Sequence, residues 1–152
     1  MIRRAEERDI PRLLELLKQV NQVHFELRPD LFKKETKYNA NDLERLLKNE
    51  DHVIFVYDDE GVQGYLFSEI RDYTKNQLLQ PIKTLYIDDL CVDKQSRGNH
   101  VGKKLLEHAK EYAKENHFHN ITLHVWEGND SAYEFYKRNG MKEQSRTMEM
   151  IL

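Results

Sequence analysis

Residues 97–104 read Arg-Gly-Asn-His-Val-Gly-Lys-Lys and join an apolar run, Leu85 to Val92, to a helical repeat that opens at Val101. A helix that starts directly after a strand offers backbone N–H groups without partners and the positive end of its dipole, and phosphate binds well there. Arg97, Lys103 and Lys104 add cationic side chains at the same place. The three-glycine dinucleotide fingerprint is missing, and no Gly-Lys-Ser/Thr phosphate loop occurs. Within the apolar run stand two adjacent carboxylates, Asp88 and Asp89. Carboxylates in a strand are costly unless paired or used. Beside an amine, one of them can hold the ammonium or remove its proton. Strand alternation sends neighbours to opposite faces unless a bulge intervenes. Asp88 is the candidate base or amine-binding residue, with a structural hydrogen-bonding role as its alternative. Asp89 reads as structural, and Glu69 on the preceding strand is a second amine-binding candidate. Cys91 reads as a small buried apolar residue, because free cysteine is usually buried and inert. No nucleophile–base constellation is present. His117, His119 and His124 match no zinc spacing and lack cysteine partners, so no metal is expected.

Those residues need a frame to position them. Ile2 to Ala5 reads as a first strand. Asp9-Ile10-Pro11 is a helix-opening signal, and Ile10, Leu13, Leu14, Leu17 and Val20 recur at helical spacing to about Asn21. A second short helix carries Leu43, Leu46 and Leu47. His52 to Tyr57 and Val62 to Arg71 flank Asp-Asp-Glu-Gly and form a hairpin. Leu85 to Val92 is the next strand, and a long helix follows from Val101 to about Ala113. Ile121 to Trp126 is a strand, Ser131 to Asn139 a helix stopped by Gly140, and Lys142 to Leu152 a last strand. The order β-α-α-β-β-β-α-β-α-β implies one α/β domain over residues 1–152, a central mixed sheet with helices on both faces.

Composition narrows the function classes. The chain has 152 residues with 24 Lys and Arg against 27 Asp and Glu, a formal charge of -3. That balance argues against nucleic-acid binding, which usually needs a basic surplus. No apolar run approaches the roughly 20 residues of a membrane helix, so no membrane association is expected. The single cysteine cannot form an internal disulfide, and a cytoplasmic location is the simplest reading.

Two separated motifs resemble the GCN5-related N-acetyltransferase superfamily. Its acyl-coenzyme A loop reads Arg/Gln-x-x-Gly-x-Gly/Ala, and here Arg97-Gly98-Asn99-His100-Val101-Gly102 matches, with His100 at the inner glycine position. Histidine is among the residues better tolerated at positive φ, so the loop can survive the change. Downstream, Asn129 followed by Tyr133-Glu134-Phe135-Tyr136 and Gly140-Met141 is similar to the family's closing motif. The order of elements is also the family order. The resemblance implies acetyl coenzyme A as acyl donor, lying between two parting parallel strands. It implies cofactor contacts from Leu90, Cys91 and Val92, from Arg97 through Lys103, and from Asn129. It implies Tyr136 as the acid near the sulfur and direct attack by a primary amine of a small cationic molecule or a peptide, and it is what favours Asp88 over Asp89, since polyamine-type relatives carry a glutamate at the position of Asp88. In relatives the acceptor site is lined by the segments corresponding to 24–41 and 72–83, which brings in Phe25. The resemblance also allows a homodimer. The alternative function is a non-catalytic acyl-coenzyme A-binding module on the same fold, since fold alone does not establish catalysis.

Overall fold

The structure is a computed structural model, and it describes residues 1–152. Five strands make one sheet in sequence order: β1 (Ile2–Arg4), β2 (His52–Asp58), β3 (Val62–Asp72), β4 (Lys83–Val92) and β5 (Asn120–Leu123). The first four pair antiparallel, and β5 joins β4 in parallel. That parallel step requires a crossover, supplied by α3 (Val101–Glu115). The other helices are α1 (Ile10–Leu27), α2 (Ala40–Lys48) and α4 (Asp130–Arg138).

The apolar alternation of β2 and β3 splits the core in two. Ile54, Val56, Tyr65 and Phe67 face α1 and α2, where Leu13, Leu16, Leu17 and Leu43 meet them. Val53, Phe55 and Leu66 face α3, where Val101, Leu105, Leu106 and Ala109 meet them. Helices therefore cover both faces, as the sequence pattern implies. Gly64 of β3 packs against β4 and α3, and a Cβ there would stand 2.8 Å from the Cys91 carbonyl oxygen.

Three local expectations are corrected. α1 runs on to Leu27, so Phe25 stands on a helix and not in a loop. Asp9 does not cap α1 with its side chain. Its carboxylate instead accepts from the Glu6 N–H at 2.7 Å and from Arg3 at 2.8 and 2.9 Å. Residues 142–152 form no strand, and every one of them is exposed. A strand needs a ladder partner, and this segment has none within the chain.

Candidate active site

The β4–β5 ladder ends at Ile87↔Leu123, although β4 continues to Val92. From Asp88 onward, β4 has a strand on one side and an open edge on the other. An extended ligand can lie along that edge and bond to the backbone as a strand would. Leu90, Cys91 and Val92 are the residues on it. The Cys91 side chain itself is 5% exposed, sits among the α1-side core residues, and its thiol donates to the Leu16 carbonyl at 3.5 Å. Burial pushes that thiol up to about 12, so it stays protonated and is no nucleophile.

At the end of β4 the chain makes a single 3₁₀ turn, Lys94–Ser96, and enters α3 through the loop 97–100. Two residues take left-handed conformations, Gly98 at φ 91° and His100 at φ 60°. His100 is the residue immediately before α3 and does not cap it with its ring. The first backbone bond of the helix is Lys104 N–H to the His100 carbonyl, at 3.0 Å. The N–H groups of Val101, Gly102 and Lys103 thus point out of the helix end unbonded. Arg97 precedes them. This cradle fits a pyrophosphate. Gly102 packs on Phe135 of α4, whose ring carbon would lie 3.4 Å from an added Cβ, and on Val92.

The loop is tied down by residues with no signal in a sequence motif. Asp93 is 8% exposed; its carboxylate accepts from the Gln95 N–H at 3.1 Å and pairs with Arg12 of α1. These bonds hold its carboxyl below the usual range, the Arg12 contact first.

Asp88 and Asp89 owe their arrangement to a β-bulge. Phe67 pairs with Asp89 and Ser68 with Ile87, leaving Asp88 as the extra residue. Ile87 and Leu90 pack with the α3-side core, while Cys91 packs with the α1-side core. One residue is therefore added to the alternation, and both carboxylates emerge on the α1/α2 face. Asp88 accepts from Lys37 Nζ at 2.5 Å and from Tyr38 Oη at 2.6 Å. Asp89 accepts from Tyr65 Oη at 2.7 Å. Tyr65 is fully buried and lies 4.6 Å from Phe67, ring to ring, and Tyr38 stacks on Phe67 at 5.9 Å. Burial pushes the Asp89 carboxyl up to about 6, with the Tyr65 bond pulling the other way. Burial also raises Tyr38, Tyr65 and Tyr136, so all three remain protonated near neutral pH.

Tyr136 and Phe135 pack edge to face at 5.2 Å against the α3-side core, with Leu90 and Val92 among their companions there. The Tyr136 hydroxyl makes no hydrogen bond to the protein. Asn129 caps α4: its side-chain oxygen accepts from the Ala132 N–H at 3.4 Å, and its amide nitrogen stays free to donate. Phe25 lies under the Lys34 ammonium, 4.9 Å from its ring centre. Glu69 pairs with Arg71 at 3.7 Å, and Arg71 in turn lies 3.8 Å over Tyr86. The structure thus gathers Leu90 to Val92, the loop 97–103 and Tyr136 along one end of β4, with the two aspartates at the bulge. Phe25 and Glu69 engage other partners. Lys37 and Tyr38 lie in the segment 24–41 that the resemblance points to, but their bonds to Asp88, and that of Tyr65 to Asp89, have no motif of their own, because a contact between residues 37 and 88 exists only once the chain is folded.

Comparison with known proteins agrees with this geometry. The model of the acetyltransferase (GNAT) family matches residues 10–141. Streptothricin acetyltransferase A of Bacillus subtilis (strain 168) is 31% identical over 99 residues, 60% of this chain. The chain matches about half the length, 54%, of that curated relative. Among solved structures, a tetramutant of the BH1408 protein from Bacillus halodurans superposes with a TM-score of 0.95 at 30% identity, covering 100% of this chain and 99% of that one. An aminoglycoside acetyltransferase, meta-AAC0020, from an uncultured soil metagenomic sample shares the fold at a TM-score of 0.75 and 24% identity, over 100% and 95% of the two chains. A match over nearly the whole chain, with the parted strands and the phosphate cradle in place, identifies it as a member of the GNAT acetyltransferase family.

Proposed function

We propose that the protein transfers acetyl from acetyl coenzyme A to a primary amine on a small cationic molecule. One observation carries this reading: the bulge sets Asp88 and Asp89 on the same face, next to the point where β4 and β5 part. A paired carboxylate site beside an open strand edge suits an ammonium that must first be held and then lose a proton. Lys37 Nζ already rests on Asp88, which makes its ammonium an internal stand-in for the amine of the substrate.

Asp88 therefore orients the incoming ammonium, displacing Lys37. Asp89, raised to about 6, takes the proton near neutral pH, where it is ionised yet basic enough to accept one. This divides between two residues the tasks that the sequence motif alone assigns to Asp88. The freed amine attacks the thioester carbonyl. A backbone N–H on the open edge of β4, within Leu90 to Val92, stabilises the oxygen in the manner of an oxyanion hole. The carbon–sulfur bond then breaks and coenzyme A leaves as its thiol, Tyr136 passing a proton to the sulfur and regaining one from the nitrogen of the tetrahedral adduct. Tyr136 donates a hydrogen bond to the sulfur, and its raised pKa keeps it a donor throughout the neutral range. Arg97 and the N–H groups of Val101 to Lys103 hold the pyrophosphate, and the free amide of Asn129 the pantetheine arm. The acetyltransferase names of the relatives accord with this reading.

A thiol-release assay with acetyl coenzyme A over a panel of polyamines, aminoglycosides, streptothricin, amino acids and peptides tests it. Release with cationic amines, and not with neutral or acidic ones, is the expected result. Acetyl coenzyme A binding with no release above background across the panel would refute it.

A further inference from the structure

The chain places one of its own amines at the carboxylate pair. Lys37 Nζ donates to Asp88 Oδ1 at 2.5 Å and Tyr38 Oη to Asp88 Oδ2 at 2.6 Å, so two consecutive residues between α1 and α2 take both oxygens of one carboxylate. The other lysines paired with carboxylates, Lys110 and Lys114, bridge to Glu107 and Glu111 within α3. Lys37 alone reaches across to a strand.

Its backbone and its side chain are held differently. Tyr38 is partly buried, stacks on Phe67 at 5.9 Å, and its carbonyl accepts from Thr36 Oγ1 at 2.9 Å. Asn39 caps α2 and accepts from the Asp42 N–H at 2.8 Å. The chain is therefore anchored beside residue 37, while the Lys37 side chain is 49% exposed. An exposed ion pair contributes about 1 kcal/mol or less, so the ammonium leaves Asp88 and returns to it freely on its four-carbon stem.

The position suits more than an ion pair. Asp88 follows Ile87, the last β4 residue that pairs with β5, so the ammonium rests where the open edge of β4 begins. Asp89 is the next residue and emerges on the same face, its carboxyl raised by burial to about 6. One chain thus supplies the amine, the base and the edge. Tethering turns an encounter of two molecules into an effectively unimolecular step.

We propose, on the footing of the acetyl transfer described above, that Lys37 is itself an acetyl acceptor: when no small amine occupies the site, its Nζ takes the acetyl group of acetyl coenzyme A held by the same chain. The Lys37 ammonium passes a proton to Asp89. Its lone pair attacks the thioester carbonyl carbon, the nitrogen–carbon bond forms and the carbon–sulfur bond breaks. The sulfur takes a proton from Tyr136, which regains one from the nitrogen of the adduct, and coenzyme A leaves as its thiol. The product is a neutral amide, and the salt bridge to Asp88 is lost with the charge. Asp88 is then open to an external ammonium, so the modification removes the internal competitor.

The test uses the full chain with acetyl coenzyme A and no added amine. Intact mass and peptide mapping count the acetyl groups and locate them. One per chain is expected, on Lys37 and ahead of its exposed neighbours Lys33 and Lys34. Its rate should not change when the protein is diluted at fixed acetyl coenzyme A. Asp89→Asn should slow it about 100-fold, as for a missing base. Lys37→Arg should abolish it, since a guanidinium still holds Asp88 but stays protonated. Thiol release with the amine panel, run on the same preparations, separates this inference from the reading beneath it. Release to small amines with Lys37 unmodified would overturn the inference alone, and no transfer to either would overturn both. Acetyl spread evenly over Lys33, Lys34 and Lys37 would also overturn it, as would labelling that Asp89→Asn leaves unchanged or a rate that falls on dilution.

Discussion

Replacing Asp89 by Asn separates a functional carboxylate from a structural one. Asp89 is raised from 3.8 to about 6 on folding, chiefly by burial. A carboxyl whose folded pKa exceeds its unfolded value binds its proton more tightly when folded. Its favourable contribution is complete below about pH 4 and is lost as pH rises to about 6. Two pKa units correspond to about 3 kcal/mol, so above pH 6 the ionised Asp89 destabilises the native state by roughly that amount. Asparagine has the same size, remains neutral and can still accept from Tyr65 Oη. Asp89→Asn should therefore be more stable than the parent by about 3 kcal/mol at pH 7.5. In a chain of this length that is roughly 6–12 °C in Tm. The difference should vanish near pH 4. Urea melts of both proteins at intervals from pH 4 to 8 measure it, with thiol release followed in parallel. The stabilised variant should lose at least about 100-fold in kcat, as expected for a missing base. A stability difference independent of pH, or a parent more stable than the variant at neutral pH, would refute the burial argument. Full activity in the variant would refute the base assignment.

Other outcomes follow from the same geometry. Tyr136→Phe should lower kcat about 10- to 100-fold while leaving the acetyl coenzyme A Kd unchanged, as measured by calorimetry. Lys37→Met should lower KM for cationic amines, since it removes the ammonium competing for Asp88, whereas Asp88→Asn should raise it; steady-state kinetics with one amine compares both. His100→Gly should raise stability by about 1 kcal/mol in a thermal melt, because it removes a side chain from a left-handed backbone position.

Much of the frame is legible in the chain because its signals are local. Leu13 and Leu17 recur at helical spacing, Asp-Asp-Glu-Gly breaks the β2–β3 hairpin, and Gly140 stops α4. The loop 97–102 is legible too, since a turn into a helix start is a short-range construction, and even the tolerance of His100 for positive φ follows from its residue type. The acceptor side is not legible in the same way. Which face Asp88 and Asp89 share depends on a bulge opposite Phe67 and Ser68, and a bulge is a property of two strands. Lys37, Tyr38, Tyr65 and Arg12 reach the site from distant parts of the chain.

Sequence by itself determined the order of elements as far as α4, the glycine-bearing turn into α3 and the presence of two carboxylates in an apolar strand, since periodicity, capping and backbone freedom act over a few residues. Tertiary structure decided which carboxylate has its pKa raised, which is held by a lysine, and that residues 142–152 find no partner within the chain. Those outcomes are set by desolvation, ladder register and contacts between remote segments, and none of these exists until the sheet is assembled.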